Sequence, residues 1–201
     1  EDDQTLPISA REQASYIRRQ GEKLRSLISD LNLTSRLEYA MQPLRLEKVY
    51  PVELARQVVC EFLDGGLEER YEIEFSADQE SEPVTIPGDE ALLKRALGNL
   101  IQNSIVHNPQ GCRISVSVLC GSAGIMVEVA DDGAGVSSEK LEELTAGGHR
   151  LESTDEKLNL RHGLGILLVR QIMEAHKGTM TMESEPRKGF KTVLTFPSFI
   201  F

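Results

Sequence analysis

Cys112-Arg113-Ile114-Ser115-Val116-Ser117-Val118-Leu119, then Gly121-Ser122-Ala123-Gly124, then Ile125-Met126-Val127-Glu128-Val129-Ala130 read as two alternating apolar and polar runs around a glycine-bounded turn. That pattern is a β-hairpin with one face turned to a core. Asp131-Asp132-Gly133-Ala134-Gly135 closes the second strand, where glycines let the backbone turn sharply and approach a neighbour closely. Upstream, Asp89 caps a helix through Leu92, Leu93, Ala96, Leu97, Leu100, Ile101 and Ile105, which Pro109 and Gly111 end. Before it come a helix over Val52–Leu63, closed by Gly65-Gly66, and two short half-buried strands. These are Tyr71–Phe75 and Val84–Ile86, the latter between Pro83 and Pro87, and both are expected at the sheet periphery. Downstream lie a helix from Ser138, a polar stretch over Ala146–Leu160, a helix over Gly163–His176, and strands Thr179–Glu183 and Thr192–Phe196. The sum is an α+β fold, a two-layer α/β sandwich whose mostly antiparallel or mixed sheet is covered by helices on one face.

Ser9 to about Met41 precedes this as one long helix, with Ser9 and Glu12 spaced as a capping box. Ile17, Gly21, Leu24, Ile28, Leu31 and Ser35 recur at alternating spacings of four and three, a heptad seam that Leu27 widens. Arg18, Arg19, Glu22, Lys23, Arg25 and Asp30 keep the rest polar, which favours a partner helix over packing on the chain's own domain.

The 201 residues carry 22 Lys+Arg against 32 Asp+Glu, a net charge of -10, and no basic cluster, so nucleic acid or an anionic membrane surface is not expected as the main partner. A chain of this size needs no disulfide or structural metal to fold. Cys60, Cys112 and Cys120 lack zinc-site spacing and read as buried small hydrophobes in a reducing compartment. No apolar run reaches the roughly 18 residues of a membrane span, and Glu1-Asp2-Asp3 does not open a signal peptide, so a cytoplasmic piece of a larger protein is expected.

Three features could carry chemistry. Asn99 and Asn103 lie four apart and share one helix face; taken alone they read as solvated or helix-bonded amides, although an amide oxygen also suits magnesium. Asp131-x-Gly133-x-Gly135 alone is an ordinary turn; its functional form has Asp131 accepting from an exocyclic amine such as that of adenine. His162-Gly163-Leu164-Gly165 opens a helix, where free N–H groups suit phosphate oxygens, though two glycines also fit a plain helix entry. No Walker-type phosphate loop occurs.

Taken in order, these features resemble the adenine-nucleotide site of the GHKL ATPase superfamily, with its Bergerat-type mixed sheet. Within it the chain looks most like the catalytic and ATP-binding domain of bacterial sensor histidine kinases. Leu97-x-Asn99-Leu100-Ile101-x-Asn103-Ser104 is similar to that family's asparagine box, Val129-x-Asp131-Asp132-Gly133-x-Gly135-Val136 to its first glycine box, and Gly163-Leu164-Gly165-Ile166 to its second. Leu24–Leu31 and Ser35-Arg36-Leu37-Glu38 resemble the second helix of the dimerisation and phosphoacceptor hairpin. The resemblance implies part of that hairpin and a linker over 1–48, and a catalytic ATP-binding domain over 49–201.

It further implies ATP and magnesium, with Asn103 holding the metal and Asn99 a supporting polar contact. Asp131 would read the adenine amine, Gly133 and Gly135 would shape the pocket floor, and His107 would stack on the base. Ala146–Leu160 would be the ATP lid, and Gly163 and Gly165, with His162 and Leu164, would bring phosphates to the helix N-terminus. The chain departs from the family where Val106 replaces a phosphate-contacting Lys or Arg, where Arg161-His162 replaces small residues, where Leu144-Thr145 replaces the lid's phenylalanine, and where Gly189-Phe190-Lys191 keeps one glycine of a third box. Arg161 is the residue expected to compensate for Val106 at the γ-phosphate. Asn99 stands where gyrase, mismatch-repair and chaperone ATPases carry the glutamate that activates water, which favours phosphoryl transfer over hydrolysis.

None of His107, His149, His162 and His176 lies in a phosphoacceptor context. The expectation is therefore a kinase fragment that binds Mg-ATP but cannot phosphorylate itself. A response regulator is expected as partner, a homodimer in the full-length kinase, and a membrane only through segments absent here. The rival functions are an anti-sigma-type serine kinase and a degenerate docking or dimerisation module.

Overall fold

A computed structural model describes residues 8–38, 43–122, 124–146 and 159–197. In chain order the elements are α1 (Ile8–Glu38), β1 (Glu47–Val49), α2 (Pro51–Asp64), β2 (Tyr71–Ala77), β3 (Ile86–Gly88) and α3 (Glu90–His107). There follow β4 (Cys112–Gly121), β5 (Gly124–Asp131), α4 (Ser138–Thr145), α5 (Asn159–Ala175), β6 (Thr179–Ser184) and β7 (Phe190–Phe196). Five strands form one sheet in the order β2-β4-β5-β7-β6. The β4–β5 hairpin, β5–β7 and β6–β7 are antiparallel, whereas β2 and β4 run parallel. A parallel pair cannot be joined by a tight turn, so the chain crosses over through α3 between them.

The alternation read from the hairpin decides which face is dry. Ile114, Val116 and Val118 of β4, Val127 and Val129 of β5, and Leu194 and Phe196 of β7 are buried. Against them pack Val52, Ala55 and Val58 of α2, Leu93, Leu97 and Ile101 of α3, and Leu168, Val169 and Ile172 of α5, all in one core cluster. Each such valine, leucine, isoleucine or phenylalanine contributes roughly 1.5–3 kcal/mol on burial, so this single layer contact dominates the stability of the sandwich.

Several boundaries differ from the sequence reading. The strand expected at Val84–Ile86 is Ile86–Gly88, and it pairs with the unanticipated β1 in a separate two-stranded ladder. Pro87 sits in that ladder, where a two-stranded edge tolerates a missing donor. Strand β1 also reaches back to Glu47, across the expected division between residues 48 and 49. Strand β2 runs on to Ala77 because Ser76 and Ala77 continue the pairing with Ser117 and Val118. The cysteines are not fully buried: Cys60 is exposed, and Cys112 and Cys120 are half-buried. Cys60 falls on the outward side of α2 because Val52, Ala55, Val58 and Val59 take the inward stripe. Most of the polar stretch expected over Ala146–Leu160 lies outside the described residues.

Helix α1 lies against the sandwich. Leu33 and Leu37 touch the core, Asp30 and Thr34 are buried, and Arg95 of α3 donates to Asp30 Oδ1 from Nε at 3.0 Å and Nη2 at 2.6 Å. The heptad seam faces the other way. Ile17, Leu24, Ile28 and Leu31 are 53–69% exposed, so nothing among the described residues covers them. No helix among the described residues is long and apolar enough to cross a membrane.

Candidate functional site

Helix α3 starts where the Asp89 side chain accepts the Leu92 N–H at 3.3 Å. From there its 3.6-residue period puts Leu97, Leu100 and Ile101 into the core and leaves Asn99 and Asn103 on the flank that faces α5. Helix α5 meets that flank at Gly165, where a Cβ would sit 3.4 Å from Asn103 Oδ1 and 3.7 Å from Asn99 Oδ1. Two motifs more than fifty residues apart in the chain therefore meet through the glycine's bare face.

Between α3, the end of β5, β7, α4 and α5 lies a cavity of about 170 Å³. Leu100, Val129, Ala134, Val136, Leu144, Ile166 and Phe190 give it apolar walls, and Asn103, Ser104, His107, Asn108, Asp131 and Thr192 supply polar groups. Asp131 and Lys140 are the charged residues lining it, and Lys140 Nζ also pairs with Glu143 at 2.8 Å.

Asp131 is held by three donors. Its Oδ1 accepts Asn108 Nδ2 at 3.1 Å and the Gly133 N–H at 3.0 Å, while its Oδ2 accepts the Ser104 hydroxyl at 2.7 Å. A carboxylate offers about four acceptor directions. One on Oδ2 is left for a ligand donor. Asn108 is itself committed, donating also to the Ser104 carbonyl at 2.8 Å and accepting the Ala134 N–H at 3.0 Å through Oδ1. It is buried and occupies the space a side chain at 133 would need, since a Cβ on Gly133 would collide with its amide. Gly135 adopts φ 61°, and a Cβ there would collide with the Glu185 carbonyl.

Beside this cluster Cys112 points its thiol at the Ser104 carbonyl, 3.7 Å away. Burial first, and then the Asp131 charge, push its pKa up to about 11. The folded thiol thus keeps its proton after an unfolded one, with its pKa near 8.5–9, has lost it. Its contribution to stability is complete below about pH 9 and is lost as pH rises from there to about 11. At pH 8 iodoacetamide should label exposed Cys60 well before Cys112; peptide mapping with equal labelling at both would contradict this burial.

The asparagines differ. Asn99 Nδ2 donates to the Arg95 carbonyl one turn back, at 3.1 Å, whereas the Asn103 amide has no hydrogen-bond partner among the described residues. An unpartnered neutral oxygen at a cavity edge fits a cation that takes few protein ligands. Among the described residues no cluster of three or more His, Cys, Asp or Glu competes for it.

Helix α5 begins at Asn159, four residues before the expected Gly163. Asn159-Leu160-Arg161-His162 contains no helix breaker, and a glycine inside a helix costs only about 1 kcal/mol. Gly163 and Gly165 consequently sit within the helix rather than at its first turn. The side chains of Arg161 and His162 are not among those described.

The family model described as histidine kinase-, DNA gyrase B-, and HSP90-like ATPase matches residues 88–199, which hold α3, β5 and α5 together. This chain belongs to that ATPase family. It is similar to the sensor histidine kinase YvrG of Bacillus subtilis (strain 168), 29% identical over 189 residues, which are 94% of this chain and 32% of that protein. Its fold is similar to full-length ShkA in complex with AMPPNP, at TM-score 0.73 and 23% identity over 98% of this chain and 42% of the other. It is also similar to histidine kinase ThkA in complex with response regulator protein TrrA, at TM-score 0.72 and 20% identity over 98% and 54%. The chain spans about a third to a half of the length of the curated relatives it matches. With this ATPase fold in hand, the cavity brings together Asn103, His107, Asp131 and Gly135 from the sequence reading. Asn108, Lys140, Phe190 and Thr192 were missed. Asn108 had a faint signal in its Asn-Pro turn and Phe190 one in the eroded third glycine box; Lys140 and Thr192 carry no motif.

Proposed function

We propose that this chain is the catalytic, ATP-binding part of a sensor histidine kinase, which moves the γ-phosphoryl group of Mg-ATP to a histidine on a helix outside this sequence and thence to a response regulator. The observation that carries the reading is Asp131: a carboxylate fixed by Ser104, Asn108 and Gly133, with one acceptor direction left on Oδ2 beside a mainly apolar cavity. Such a site accepts the amine of adenine and leaves the carbonyl of guanine facing a carboxylate, a mismatch that discriminates strongly. Val129, Ile166 and the other apolar walls keep water from that hydrogen bond, and His107 lies where it can flank the base. Asn103 would hold magnesium, a role supported by its place on the cavity lining and by an amide without a hydrogen-bond partner among the described residues. When bound, magnesium neutralises phosphate charge. Asn99, an amide bonded to its own helix, offers no base to activate water, so slow hydrolysis accords with transfer to a protein acceptor.

The acceptor is absent from the described residues. His176 is buried with both ring nitrogens engaged, accepting the Asp89 N–H at 2.9 Å and meeting the Ile172 carbonyl at 2.6 Å. His107 belongs to the cavity wall. The exposed seam of α1 favours a hairpin and homodimer in a longer kinase and weighs against an anti-sigma-type kinase. That the full-length protein is anchored in a membrane, with this part cytoplasmic, belongs to the same proposal and rests on the sensor-kinase reading alone.

Titration of the purified chain with ATP and GTP, with and without magnesium, tests this. ATP-selective, magnesium-assisted binding is expected, with Asn103→Ala removing the magnesium-dependent part only. Labelled phosphate should pass to a supplied acceptor helix and not to serine proteins. No binding by the folded chain at about 1 mM ATP, the weak end of ordinary enzyme affinities, would leave a docking module.

A further inference from the structure

Helix α4 supplies Lys140 and Leu144 to the cavity wall, yet none of its residues is buried. It has no fully buried side chain to anchor it, Leu141 and Leu144 being half-buried, and a helix this short has little stability of its own. Its first turn is capped by Ser137, whose Oγ accepts the Lys140 N–H at 3.3 Å. Its last turn is held from outside. Arg170 of α5 donates from Nη1 to the Thr145 carbonyl at 2.8 Å and from Nη2 to the Leu144 carbonyl at 2.7 Å.

Two terminal N–H groups on consecutive carbonyls use the planar fork of arginine, and the charge sits at the negative end of the helix dipole. No carboxylate pairs with Arg170 among the described residues, so its charge is directed to these carbonyls. Arg170 follows Ile166 by four residues on α5, and Ile166 lines the cavity while Arg170 does not. The arginine thus joins two walls of the cavity from behind.

We propose that Arg170 is a positioning residue of the nucleotide site: by holding the last carbonyls of α4 it sets Leu144 and Lys140 against the cavity, without itself touching nucleotide. This rests on the ATP-binding reading above. Arg170→Ala should weaken ATP binding about tenfold, the equivalent of about 1.4 kcal/mol, and raise KM for ATP while leaving kcat for transfer to a supplied acceptor helix largely intact. Arg170→Lys should recover part of the affinity, because an ammonium can still hold one carbonyl. The ligand-free melting temperature should scarcely move, since α4 has no buried residue of its own.

Hydrogen exchange in the ligand-free protein gives a second readout, independent of ATP: the amides of Leu141 and Ala146, bonded to carbonyls within α4 and its cap, should exchange faster in Arg170→Ala while α3 and β5 remain protected. ATP affinity within twofold of wild type, or unchanged exchange in α4, would overturn the role. So would an equal fall in ligand-free stability that lysine does not restore. If wild type binds ATP and Arg170→Ala binds equally, this inference alone fails; if wild type does not bind ATP, the reading beneath it fails and takes the inference with it.

Discussion

Gly189→Ala should destabilise the domain by about 3 kcal/mol or more and abolish nucleotide binding with it. Gly189 adopts φ 83°, where a side chain costs about 1–2 kcal/mol. A Cβ there would also overlap the Asp131 carbonyl oxygen, lie 2.7 Å from the Asp131 carbonyl carbon and 3.0 Å from Asp132 Cα. Neither backbone can retreat, because Asp131 and Phe190 are partners in the β5–β7 ladder, and the Gly189 carbonyl accepts the Ser184 hydroxyl at 2.7 Å. Overpacking in such a place adds about 1–3 kcal/mol. The same overlap would displace Asp131, so affinity falls with stability. Urea unfolding and ATP titration read the two effects. Gly98→Ala, on α3 with nothing within 4 Å of its Cβ position, is the control and should stabilise by about 0.5–1 kcal/mol. A Gly189→Ala protein within about 1 kcal/mol of wild type would contradict the close approach.

Asp131→Asn should leave the fold intact, lower ATP affinity by about 10–100-fold, and erase or invert the preference over GTP. The amide oxygen can take the place of Oδ1 and still accept from Asn108 and Gly133, while its NH₂ replaces Oδ2 and donates to the Ser104 oxygen, which serves as acceptor once its hydroxyl rotates. The remaining N–H then occupies the direction that was an acceptor. An amine on the ligand meets a donor there and loses a hydrogen bond to a charged group, about 1.5–3 kcal/mol. A ring carbonyl meets a donor and gains one. Parallel ATP and GTP titrations, with the melting temperature as a check on folding, decide it. Unchanged selectivity would remove Asp131 from base recognition.

Asp131 was legible only through the order of the three motifs, because a strand end followed by two spaced glycines is by itself an ordinary turn, whereas the cap at Asp89 was legible locally. Asn108 was not, although its side chain makes three hydrogen bonds in the cluster, as many as that of Asp131. Its partners Asp131 and Ala134 lie 23 and 26 positions away, on another element. The heptad seam of α1 pointed to a partner helix rather than the chain's own domain, yet α1 does pack on the sandwich, through Leu33 and Leu37 outside the seam, while Ile17, Leu24, Ile28 and Leu31 stay exposed. The start of α5 was misplaced because glycine marks a helix end by tendency only, and nothing before Gly163 stops the helix.

The sequence by itself determined every element type but β1, the one-sided sheet and the set of motif residues, because periodicity and turn chemistry act over a few neighbouring residues. Only the tertiary structure decided that β2 runs parallel to β4, that one acceptor direction of Asp131 remains open, that Gly189 must be bare, and that Arg170 holds α4. Each of those depends on backbone and side-chain atoms from elements distant in the chain, which the order of strands in the sheet brings within a few ångströms.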